Sequence, residues 1–132
     1  MQGIVLATGD LAPDRDDPDR CFDGTCNTLQ NAELVFGQLE TTIAASGTRL
    51  PQARHAVLTA PATASALERA GFDVISMAGN HCLDWGNEAF LETMEHLGRC
   101  NIAVIGAVKN IAARTETTSN ESLRFMAEHL TR

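Results

Sequence analysis

The segment "GFDVISMAGNHCLDWG" (residues 71–86) decides how the rest of the chain is read. Gly71 suits the position just past the end of a helix, and the apolar run after it carries the Val and Ile of a short buried strand. The run leads into an amide and an imidazole, Asn80 and His81, with the Asp84 carboxylate three residues further on. Two readings are open. α/β proteins place their chemistry in the crevice beyond the carboxyl ends of parallel strands. A strand that simply runs out into solvent also ends on polar residues.

Working outward, "PATASALERAG" (61–71) predicts a helix, with Pro61 suited to its first turn and an apolar face of Ala64, Leu67 and Ala70 or Ala66. On the other side, "NEAFLETMEHLGRC" (87–100) predicts a second helix, with Phe90, Leu91, Met94 and Leu97 on one face. "NIAVIGA" (101–107) is then a further strand. Nearer the start, "GIVLATG" (3–9) and "ELVFGQLE" (33–40) read as two more strands. Between them lie an Asp- and Pro-rich loop (10–24) and a short helix over 25–32. Residues 41–57 read as an irregular connection. Strands joined by crossover helices make an α/β layered sheet with parallel pairing.

The 132 residues are 44% hydrophobic and 20% charged, an ordinary globular composition of about one domain. Aromatics are 5% with no Tyr, so the core is expected to be aliphatic. A net charge of −7 repels phosphate backbones, which argues against nucleic acid as a partner. The same acidity is compatible with divalent cations. Cys21, Cys26, Cys82 and Cys100 form no C-x-x-C pair and are expected as reduced thiols. No stretch approaches the ~18 apolar residues of a membrane span. The apolar run near Met1 is short and lacks a positive leader, so the chain as written is expected to be cytoplasmic.

Three predicted strands end in groups that could bind a metal: Asp10, then Glu40, then Asn80 with His81. If those strands are parallel neighbours, the four residues share one edge of the sheet. Oxygen and imidazole donors of this mix suit Mn, Fe or Zn. Each also has a bland reading: Asp10 as a turn or cap, Glu40 as a solvated strand end, Asn80 as a turn residue. Asp14, Asp16, Asp17, Asp19 and Asp23 do not keep a calcium-loop register, because Arg15, Pro18 and Arg20 interrupt it, and read as a solvated acidic loop. Cys82 beside His81 is not read as a nucleophile and base, because adjacent residues at a strand end point in different directions.

"TGD", "GQLE" and "AGNHCLDWG" together resemble the bacterial capsule-synthesis CapA family, associated with poly-γ-glutamate synthesis and part of the calcineurin-like metallophosphoesterase superfamily. The family carries GD after its first strand, an N-L-E-like element after its second and N-H-x-x-D-x-G after its third. The resemblance covers roughly residues 3–114, so that 1–114 reads as the N-terminal part of such a domain and 115–132 as a divergent tail, polar and then amphipathic. It implies Asp10, Glu40 and Asn80 as ligands of a divalent metal or a metal pair. His81 would be the phosphate-contacting or acid group, and Asp84 its support. A metal-dependent phosphoesterase or hydrolase follows, acting on a small-molecule or polymer substrate with a phosphoester or amide bond. Gln38 stands where the family has Asn. The superfamily's later G-H-x-H element does not occur in this sequence, so the chain is expected to be a shortened form. The rival expectation is a non-catalytic remnant, acting as a scaffold or as a homo-oligomer formed through an open sheet.

Overall fold

In the computed structural model, residues 3–107 are described. The expected tail over 115–132 and the last residues of the expected 1–114 domain lie outside them. The strand after the opening glycine, β1, is Val5–Leu11. A one-turn 3-10 helix at Pro18–Cys21 and the short α1 (Cys26–Gln30) follow. Then come β2 (Leu34–Leu39), β3 (Thr42–Ile43) and β4 (Leu58–Thr59). The chain continues through α2 (Ala62–Ala70), β5 (Val74–Ser76), α3 (Gly86–Arg99) and β6 (Ala103–Ile105).

The main sheet has the order β1-β2-β5-β6, and every neighbouring pair is parallel. Each crossover therefore steps in the same direction. Right-handed crossovers of that kind deliver their helices to one face of the sheet. The core agrees, since Leu29 of α1, Ala64 and Leu67 of α2 and Leu97 of α3 pack with Val35, Leu39 and Ile75. Leu67 and Leu97 have no exposed surface, and truncating either to Ala costs roughly 2–5 kcal/mol by the usual cost of a core cavity. Phe22 and Phe72 add one edge-to-face aromatic pair with centroids 5.8 Å apart.

Helix α2 stops where the sequence predicts. Gly71 has φ 104°, a left-handed conformation that favours glycine, and its N–H closes onto the carbonyls of Leu67 and Glu68. Asp73, the one charge in the apolar run, is held by the sheet: its Oδ2 accepts the Val35 N–H at 2.8 Å.

Four expectations change in detail. β1 runs on through Asp10 and Leu11, because its ladder with β2 shifts register between Ala7 and Asp10 and then resumes, with Asp10 opposite Gln38 and Leu11 opposite Leu39. The strand expected over 72–79 is regular only at Val74–Ser76, with hydrogen bonds from Asp73 to Val35 and from Met77 to Ile105 flanking it. The connection over 41–57 is not wholly irregular, since β3 pairs in parallel with β4. On α3, Leu91 is 39% exposed, and the stripe facing inward is Ala89, Thr93 and Leu97 with Phe90 and Met94 half-buried. A polar residue occupies that stripe because it has a partner. Thr93 Oγ1 accepts the Ile43 N–H at 3.0 Å, and its hydroxyl reaches the Ala89 and Ile43 carbonyls at 2.8 and 3.1 Å.

Candidate active site at the carboxyl edge of the sheet

Because β1, β2 and β5 are adjacent and parallel, their carboxyl ends form one edge. Asp10 lies near the end of β1, opposite Gln38. Glu40 immediately follows β2, and its N–H donates to the Leu11 carbonyl at 2.9 Å, which prolongs the ladder to the lip of the edge. Beyond β5, residues 80–85 form a turn that leads into α3. The structure thus brings all three predicted strand ends to one side of the molecule.

The turn holds the strongest polar contact of this edge. His81 Nδ1 and Asp84 Oδ2 are 2.6 Å apart, with 34% and 14% of the two side chains exposed. An ionised carboxylate only accepts, so Nδ1 donates to Asp84, and Nε2 has no hydrogen-bond partner among the described residues. The Asp84 hydrogen bond raises the His81 pKa above its ordinary value against the opposing effect of desolvation, and the charges of Asp84, Glu40 and Asp10 raise it further. Imidazolium is the form this edge favours. Cys82 follows the opposite course: burial pushes its thiol up, with the charges of Asp84 and Glu40 adding to the effect. A thiol so held is a poor nucleophile at neutral pH.

The turn is anchored by a segment whose role the sequence does not show. The Leu50 N–H donates to the Asp84 carbonyl at 2.8 Å and the Thr48 N–H to the Trp85 carbonyl at 3.1 Å. The connection after β3 thereby fixes the backbone that carries Asp84. Backbone pairing of this kind leaves no signal in residue types.

Asn80 is exposed in the turn. Asp10 is exposed and Glu40 half-buried. Glu40, Gln38 and Gly79 come close together: a Cβ on Gly79 would stand 2.6 Å from Glu40 Oε1 and 2.9 Å from Gln38 Nε2. Carboxylate and amide oxygens with an imidazole are the right donor types for a borderline divalent cation. Among the described residues, however, no group of three or more His, Cys, Asp or Glu side chains is gathered closely enough to hold one. The donor types, though not their present spacing, suit such an ion.

Elsewhere the acidic loop behaves as a solvated one. Asp14, Asp16, Asp17 and Asp23 are exposed, and Asp19 forms a two-pronged bond with Arg69 at 2.9 and 2.8 Å. The four cysteines are free thiols. No helix among the described residues is long and apolar enough to cross a membrane.

The sequence profile of the bacterial capsule synthesis protein PGA_cap matches residues 4–125. Two proteins of Sinorhizobium fredii (strain NBRC 101917 / NGR234), described as uncharacterized proteins y4sH and y4uA, are each 30% identical to the chain over 110 residues. Those alignments take in 78% of this chain and 23% of each relative, so the chain spans about a quarter of the length of the relatives it matches.

Proposed function

Since the chain belongs to the bacterial capsule synthesis protein family, we propose that the edge carrying Asp10, Glu40, Asn80 and His81 is the remnant or core of a metal-dependent hydrolase site serving capsule or poly-γ-glutamate biosynthesis. The observation that carries this reading is the His81–Asp84 pair, standing within the field of the Glu40 and Asp10 carboxylates. Asp10, Glu40 and Asn80 would hold a divalent cation, Mn, Fe or Zn. Such an ion supplies an activated water and neutralises charge on a phosphoryl oxygen. Donors beyond the described residues are needed to complete its shell.

The chain's own contribution is proton management. Asp84 fixes the imidazole tautomer and stabilises the charged ring. The Asp84 carboxylate raises the pKa of His81 and so favours a proton on Nε2, for delivery to a leaving oxygen as a phosphoester bond breaks. An amide bond cleaved at the same edge would use the same proton. The substrate is a small molecule or a polymer carrying one of these linkages.

Thermal unfolding with and without Mn²⁺ tests this directly, beside a Glu40→Ala, Asn80→Ala double variant. A cation at 100 times its Kd stabilises by about 2.7 kcal/mol. The expected result is a rise in the melting temperature of the parent that the double variant lacks, together with hydrolysis of a phosphodiester reporter. A parent whose melt ignores Mn²⁺ would sink the metal site in this chain.

A second reading is favoured by one observation. Among the described residues β1 lies at the edge of the main sheet, and Val5 at its start and Ile4 just before it are 53% and 56% exposed. Apolar residues at an open sheet edge invite pairing with another chain. On this reading the domain is a non-catalytic scaffold that self-associates, and sedimentation would show a dimer that Val5→Lys disperses and that His81→Ala leaves intact.

A further inference from the structure

Gly79 sits between β5 and the turn, and its backbone does not require a glycine. The positive-φ glycines among the described residues are Gly71, Gly86 and Gly106. What Gly79 provides is space. A methyl group there would lie 2.6 Å from Glu40 Oε1, 3.3 Å from Glu40 Cδ and 2.9 Å from Gln38 Nε2. Heavy atoms do not approach a real Cβ that closely, so any side chain at this position displaces one or both groups. Both are the free ends of long side chains, and they can yield without disturbing the strands behind them.

Within the described structure no hydrogen bond sets the direction of the Glu40 side chain. Its backbone N–H is committed to Leu11, and its carboxylate has no hydrogen-bond partner among the described residues. Gln38 donates only a long 3.4 Å bond to the neighbouring Leu39 carbonyl. We propose that Gly79 is a positioning residue: its bare α-carbon is the surface against which the Glu40 carboxylate rests, so that Glu40 presents its oxygens along the edge toward Asp10 and His81. Gln38, opposite Asp10 in the sheet, closes the same niche from β2. The inference is a steric one, and it rests on the metal-site reading only where affinity for a cation is the measured quantity.

Four chains decide it: the parent, Gly79→Ala, Glu40→Asp, and the two substitutions combined. Mn²⁺ binding is followed by calorimetry, and the Gln38 side-chain amide by ¹⁵N-edited NMR without metal. Gly79→Ala should melt within about 2 °C of the parent, since only flexible ends move. It should move the Gln38 amide resonances and weaken Mn²⁺ binding by about 10–100-fold, the usual loss when a residue that orients a ligand is changed. Glu40→Asp withdraws the carboxylate by one methylene from Gly79, so adding Gly79→Ala to it should change binding less than about twofold. Gln38 resonances unmoved by Gly79→Ala would overturn the proposal, as would equal losses in both backgrounds. If the parent binds no Mn²⁺, the metal-site reading fails by itself and the Gln38 amide still decides the role of Gly79.

Discussion

His81 and His96 are each paired with a carboxylate close by in the chain. His81 Nδ1 meets Asp84 Oδ2 at 2.6 Å in the turn after β5, and His96 Nε2 meets Glu92 Oε1 at 3.0 Å on α3. The chemistry of the two pairs is the same, and their surroundings are not. Glu92 Oε1 also accepts the Ala45 N–H at 2.9 Å, so this carboxylate is spent on pinning the chain after β3 to α3. Among the described residues the Asp84 side chain has no such second duty, and the ring it holds stands in the field of Glu40 and Asp10. A histidine–carboxylate pair is therefore no signature of a site by itself. What the remaining polar atoms face decides whether the pair braces or acts.

The largest expected difference is in turnover. His81→Ala should lower phosphodiester hydrolysis by about 10²–10⁴-fold, the usual contribution of a general acid, while shifting stability by no more than ~1 kcal/mol because the pair is partly exposed. His96→Ala should leave kcat unchanged within about twofold. Comparable losses from both variants would erase the distinction.

Next in size is the attachment of β3 to α3 beside that brace. Thr93→Val deprives the buried Ile43 N–H of its acceptor and should destabilise by about 1–3 kcal/mol in urea unfolding. Mn²⁺ affinity should not move. A large loss of affinity would mean that α3 and the edge act as one unit.

A smaller effect sharpens the contrast through pH. His81 is held above its ordinary value of 6.5, so its contribution to stability is complete below that value and is lost as the pH rises through the raised one. Glu92 is held below its ordinary value of 4.5, first by the Ala45 N–H and then by His96. Its contribution is complete above 4.5 and lost as the pH falls through the lowered value. In the metal-free chain, melting temperature against pH should lose its alkaline slope in His81→Ala and part of its acid slope in Glu92→Gln. Both variants flattening the same limb would contradict the assignment.

The four strands of the main sheet and the helices between them were legible because each apolar run is short and bounded by Gly, Pro or charge. The parallel order followed from the crossover helices. Side-chain facing was less legible: Leu91 looks inward by type and is exposed, while Thr93 looks outward by type and is buried with its hydroxyl satisfied. The two-residue strands β3 and β4 carry too few residues to show a period. At the candidate site, Asp10, Glu40, Asn80, His81 and Asp84 could each be picked out by place and type. The short bond between His81 and Asp84 and the backing of Asp84 by Leu50 depend on turn geometry and on contacts far apart in sequence. Gly79 gave no signal, since closeness to Glu40 is a property of neighbouring strands.

The register shift in β1 bears on how this strand tolerates length change. Between Ala7 and Asp10 two residues, Thr8 and Gly9, stand against the single Gly37 of β2. In a regular ladder, removing one residue turns every later side chain to the opposite face. Here a deletion of Gly9 would take up the slack, leaving Asp10 still opposite Gln38 and Leu11 still opposite Leu39. The end of this strand thus carries one residue of spare phase, and chains lacking it should align with a single gap at this point while keeping the acid on its own side.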